Sequence, residues 1–136
     1  MDIKVIEAIS LALIHFTDSS SKLQDINEFV TTTVIETDTK LVFMAVIYFY
    51  KAIHMSKKKF RVDARFLWIG CLLTAYKHNS NIPLHIETWS IITGIKVRDI
   101  CVVVRDIHAL LGHRLHVNAK ELDQFTVVFS EMATNS

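Results

Sequence analysis

Glycine and proline are scarce in this chain, with three Gly and one Pro in 136 residues. These are the strongest breakers of regular structure, so so few of them leave room for few turns. Hydrophobic residues make up 51% and charged residues 21%, a balance that excludes intrinsic disorder and suits a folded helical protein. Cysteine is scarce too. Cys71 and Cys101 lie far apart in apolar segments, which reads as two reduced core residues of an intracellular protein (nucleus or cytoplasm) rather than a disulfide framework. The formal net charge is only +1, so no strong field steers the chain onto nucleic acid or an anionic membrane.

Long apolar runs are missing as well. The most apolar stretch, "LVFMAVIYFY" over 41–50, is ended by Lys51, well short of the roughly 20 residues a membrane span needs. It reads as a helix buried on most sides. At the N-terminus, Asp2 and Glu7 interrupt "MDIKVIEAISLALIHF" and no small-residue cleavage site follows. That stretch reads as a core-packing helix rather than a secretory signal. Met1 is consistent with a natural start, and the length fits one domain with its own core. There is no internal repeat or low-complexity tract.

Helix punctuation divides the chain into about seven segments. The first helix covers 2–16. After the polar "TDSSSKLQ", Ser21 and Gln24 have the spacing of a capping box, which starts a helix through Ile26, Phe29 and Val30. A strand is the alternative for "FVTTTVIET", but no partner strand with clear alternation exists elsewhere. Thr37 or Asp38 caps an apolar helix from Thr39 to about Met55. The basic "SKKKFRV" follows, and its Lys57, Lys58, Lys59 and Arg61 are either a charged loop or a nuclear-import patch. Asp63 caps "ARFLWIGCLLTAYK", a helix with so little polar surface that it belongs at the centre, with Gly70 letting a neighbour approach closely. Pro83 opens a short helix that Gly94 ends. A long helix runs from about Lys96 to Leu111 and closes at Gly112. Asn118 and Glu121 repeat the capping signature before a last helix over about 118–131.

Signals for chemistry are absent. The sequence holds no Gly-rich phosphate loop, no nucleophile elbow and no carboxylate pair in an apolar setting, so we expect no enzyme, no cofactor and no small-molecule substrate. His108, His113 and His116 straddle the Gly112 break without ligand spacing, which reads as ordinary histidines rather than a metal site. "WSIITGIKVRDICVVV" has the outline of a DNA-reading helix-turn-helix around Gly94. At 100° per residue, however, Val97, Ile100, Cys101, Val104, His108 and Leu111 share one face of its second helix. Arg98, Asp99, Val102, Arg105, Asp106 and Ala109 share the other. Two bases and two acids neutralise each other there, and phosphates would repel the acids.

Several ordered landmarks carry a family resemblance. "AVIYFYKAI", "LWIGCLLTAYK" ending in Lys77, "ETWSIITGI" and "ALLGHRLHV" resemble, in that order, the landmarks of a cyclin box. They are most similar to those of the single-box, phosphate-pathway class of cyclins. The resemblance spans roughly 42–117, with the first box helix matched by position only. It implies an all-α fold in one domain, 1–136: a five-helix box over about 21–117 with extra N-terminal and C-terminal helices. It implies a subunit that binds a cyclin-dependent-type protein kinase and stabilises its active conformation, with a cyclin-fold scaffold that activates no kinase as the alternative.

On that resemblance Lys77 matches the box lysine that would hydrogen-bond the kinase backbone, although it also reads simply as a solvated cation at a helix C-terminus. Lys51 stands where Arg is common, and loses the planar fork of a bidentate contact. Val104 stands where the family usually has Glu. It either extends the core or joins Cys101 and His108 in an apolar patch that meets a partner. The expected partner-binding residues are therefore Lys77, Lys51, Cys101, Val104 and His108.

Overall fold

A computed structural model describes residues 1–18, 20–57 and 60–135. Within them the chain forms seven α-helices and no strand: α1 Ile3–His15, α2 Leu23–Ile35, α3 Thr39–Ser56, α4 Ala64–Asn79, α5 Ile86–Thr93, α6 Val97–Leu111 and α7 Ala119–Thr134. A single 3₁₀ turn, Gly112–Leu115, follows α6. "FVTTTVIET" is helical through Ile35. The hydroxyls of Thr31, Thr32 and Thr33 donate to backbone carbonyls three or four residues back, so these β-branched residues find partners without leaving the helix.

Caps set most helix starts. The carboxylates of Asp2, Asp38 and Asp63 each accept from the amide two residues on, at 2.7–2.8 Å. Asn118 Oδ1 accepts from the Glu121 amide at 2.8 Å. At Asp63, burial works to raise the carboxyl, but the guanidinium and amide of Arg65 outweigh it and hold the group below its usual range. Three expectations need correction. The Ser21–Gln24 capping box does not form: Lys22 is the N-cap, Ser21 Oγ accepts from Arg65 Nη2 at 3.3 Å, and Gln24 reaches toward Glu28. The fifth helix begins at Ile86 rather than at Pro83. The last helix continues past 131 to Thr134, where the Thr134 carbonyl accepts from Lys4 Nζ on α1 at 3.2 Å.

The core is built on α3 and α4. Every residue from Val42 to Phe49 is buried, as is every residue from Leu67 to Ala75. A helix apolar on all sides must be covered on all sides, and α4 packs against α1, α2, α3 and α6. Polar groups inside this core are paired. Trp68 Nε1 donates to Thr33 Oγ1 at 2.9 Å, linking α4 to α2. Tyr48 Oη donates to the Leu115 carbonyl at 2.5 Å and accepts from Asn79 Nδ2 at 2.9 Å, so one phenol joins α3, the end of α4 and the turn after α6. Burial pushes the Tyr48 hydroxyl up, and the Asn79 bond only partly opposes it. α7 closes over α3 with Phe129 edge-on to Phe43 and stacked on Phe125.

Gly70 sits where α4 crosses α6. A Cβ built there would lie 2.9 Å from Val103 Cγ2, 3.1 Å from Ile107 Cγ1 and 3.3 Å from the Val103 carbonyl oxygen. In Gly70→Ala the helix gains about 1 kcal/mol of propensity. Overpacking against a stiff β-branched side chain and a backbone oxygen costs roughly 1–3 kcal/mol. The second effect is the larger because the carbonyl cannot rotate away. We expect a lower denaturation midpoint in urea at unchanged slope; an unchanged or higher midpoint would show that the helices do not meet this closely.

Candidate functional site

The crossing at Gly70 decides which side chains share a surface. Beyond it, the last turn of α4, the middle of α6 and the chain entering α5 line one open surface. An open groove of about 580 Å³ lies between these three segments. Val104 forms part of its floor and is 7% exposed. Leu84 of the α4–α5 connection and Ile86 at the start of α5, both half-buried, extend the apolar floor. Cys101, Arg105, His108 and Ala109 border it from α6, and Lys77 borders it from the last turn of α4. His78 joins Lys77, Val104 and His108 around a smaller hollow alongside.

Four of the five expected partner-binding residues, Lys77, Cys101, Val104 and His108, therefore meet in one groove although they come from two helices. Lys51 does not join them. Its Nζ donates to the Arg114 carbonyl at 2.8 Å and lies 3.7 Å from Glu121 Oε1. This ammonium holds the 3₁₀ turn and α7 onto α3, beside a separate apolar hollow lined by Tyr50, Met55 and Phe125. Glu121 thus spends its carboxylate on Lys51, and only the Asn118 half of that capping signature is present.

The helical wheel for α6 is corrected by about one residue. Ile100, Val104, Ile107 and Leu111 are buried and Val103 is half-buried, whereas Val97, Cys101 and His108 are exposed. Gly70 draws the centre of contact toward Val103 and Ile107, which turns Cys101 and His108 out of the core to the groove's edge. Cys101 is consequently not the core residue its apolar neighbours suggest, while Cys71 is. Leu84, Ile86 and Arg105 were missed by sequence reasoning. The first two fall in the short segment read as a helix from Pro83, whose sequence gives no sign of which neighbour they face, and Arg105 counts on a wheel as part of the neutralised outer face.

That outer face is as mixed as the sequence indicates. Arg98, Val102, Arg105, Asp106 and Ala109 are exposed, and Arg105 Nη2 lies 3.5 Å from Asp106 Oδ1. Gly94 ends α5 in the left-handed region at φ 74°, with its amide on the Ser90 carbonyl at 2.9 Å. Ser90 Oγ in turn donates to the Ile95 carbonyl at 2.6 Å, and Trp89 packs edge-on to Tyr76. The turn around Gly94 thereby fastens α5 to the core and to α6.

Of the basic connection, Lys57 ends α3 at φ 57° and Arg61 is exposed; Lys58 and Lys59 lie outside the described residues. His108, His113 and His116 are exposed, and among the described residues no three His, Cys, Asp or Glu side chains are placed to share a metal ion. No described helix is long and apolar enough to cross a membrane.

Burial pushes the Cys71 thiol far above its ordinary range, which leaves it without reactive thiolate. Native protein treated with iodoacetamide should accordingly take up one label, on Cys101, and a second only after unfolding, as read by intact mass and peptide mapping. Labelling of Cys71 in the native state would contradict the central placement of α4. Compared with known protein families, with curated proteins and with solved structures, the chain matches none.

Proposed function

We propose that the chain is a cyclin-like regulatory subunit that binds a cyclin-dependent-type protein kinase and stabilises its active conformation. One observation supports this reading above the rest. Lys77 and the exposed edge of α6 border the same apolar groove, and the cyclin-box resemblance matches Lys77 to its contact lysine and puts its usual Glu at Val104 on α6. The order of elements is compatible with it: a helix, then five more, α2 to α6, of which α4 is the central one, and a closing helix.

Such a subunit supplies no chemistry of its own. Its leverage is the difference between its affinities for the active and inactive kinase arrangements, and a hundredfold difference moves the equilibrium a hundredfold. Lys77 extends into solvent at the last turn of α4. Among the described residues it has no ion pair, so its three N–H donors are available to a partner's carbonyls.

Val104 favours a second reading. Where the family usually carries a carboxylate, this groove has a buried methyl pair that can only pack. A cyclin-fold scaffold that joins partners without activating a kinase would tolerate that change.

Purification of the tagged chain from its native cells, with identification of what stays bound and a kinase assay on the same material, tests the choice. The kinase reading predicts a stoichiometric kinase whose affinity falls about tenfold in Lys77→Ala, the cost of one charge-assisted hydrogen bond. A stoichiometric partner that is not a kinase, with no phosphorylation activity in the eluate, would overturn it in favour of the scaffold.

A further inference from the structure

The groove between α4 and α6 carries charge of one sign. Its ionic border consists of Lys77 on one side and Arg105 on the other, with His108 also on the α6 side, and no carboxylate lines it among the described residues. The acid nearest to these bases by contact is Asp106, 3.5 Å from Arg105 Nη2, in a pair whose side chains are 73% and 63% exposed. A pair that open to water holds weakly and gives way to a better partner. The floor between the bases is apolar, made by Val104, Leu84 and Ile86. Where a cyclin-box groove would present both a base and an acid, this one presents bases around a hydrophobic slot.

The occupant that fits is helical. An extended peptide docks on an exposed sheet edge or, when proline-rich, in an aromatic-lined groove; no strand exists among the described residues, and no Phe, Tyr or Trp is among those that line this groove. The walls are helix faces whose backbone groups are already bonded within α4 and α6, so recognition falls to side chains. An amphipathic helix laid into such a slot places apolar side chains at i, i+3, i+4 and i+7 on the floor and its polar flanks against the rims.

We propose that this groove selects an amphipathic helix whose flanks are acidic, with carboxylates that meet Lys77 and Arg105 on either side of an apolar stripe. The proposal rests on the docking role given to the groove above, and names the chemistry of the segment it accepts. Charge at the rim chooses among partners, and burial on the floor holds the one chosen.

Three fluorescent helical peptides of identical leucine stripe, with Glu, Gln or Lys at the flanking positions, test this by anisotropy against the full chain. The Glu peptide should bind about tenfold tighter than the Lys peptide at low salt, with Gln between them and the gap narrowing as salt rises. Arg105→Glu, at an exposed position outside the core, leaves one base and one acid at the border and should abolish the preference for Glu over Lys. Equal affinity for all three peptides would overturn the charge selection and leave the docking role intact. Binding of none would overturn the helix proposal, and native purification would then show separately whether a protein partner exists. A single-stranded oligonucleotide that binds as tightly as the Glu peptide and loses that binding in Arg105→Glu would overturn it in favour of phosphate recognition.

Discussion

The close crossing of α4 over α6 at Gly70 is the constraint from which the candidate site follows. Because no Cβ stands between them, Val103 and Ile107 lie directly on the α4 backbone. That seam fixes the rotation of α6 about its own axis. It puts Ile100, Val104, Ile107 and Leu111 inside and leaves Cys101, Arg105 and His108 at the edge. A wider crossing centred on Val104 would have buried Cys101 and given the groove no α6 border. A small residue in the middle of α4 thus determines what the end of α4 shares a surface with.

Two further interactions keep that arrangement in place. Tyr48 and Asn79 pin the last turn of α4 to α3 and to the Leu115 carbonyl, which holds the turn that carries Lys77. Lys51 binds the Arg114 carbonyl and Glu121, which holds the 3₁₀ turn and α7 against α3. Both are polar contacts between elements distant in sequence: the Lys51 contacts lie at the surface, whereas the Tyr48–Leu115 bond is made where aromatic and aliphatic packing excludes water. Inside such surroundings a hydrogen bond specifies geometry as well as adding stability, because leaving its partner unmatched costs about 1–3 kcal/mol.

Much of the fold was legible in the residues themselves. Scarce breakers divided the chain into about seven helices, Asp38, Asp63 and Asn118 marked where three of them start, and the uninterrupted apolarity of "ARFLWIGCLLTAYK" marked the central one. Less legible was anything that depends on a distant partner. Ser21 reads as a cap until Arg65 is known to reach it, and Lys51 reads as a partner-binding base until Arg114 and Glu121 are seen to occupy it. Cys101 and His108 were chosen on a wheel as members of the apolar face. They belong to the site for the opposite reason, since the packing at Gly70 turns them outward. Arg105, cancelled against Asp106 in any count along the helix, acquires its place only when Lys77 appears across the groove.

The central claim is that this groove is where a protein partner docks, and the exposed thiol of Cys101 lies on its border. The most direct test is the rate of Cys101 alkylation in the free chain and in the complex isolated from native cells. A partner seated in the groove predicts that the rate falls at least about tenfold in the complex and recovers when the complex is dissociated. A stoichiometric partner that leaves Cys101 reacting at the rate of the free chain would place the interface elsewhere and contradict the account.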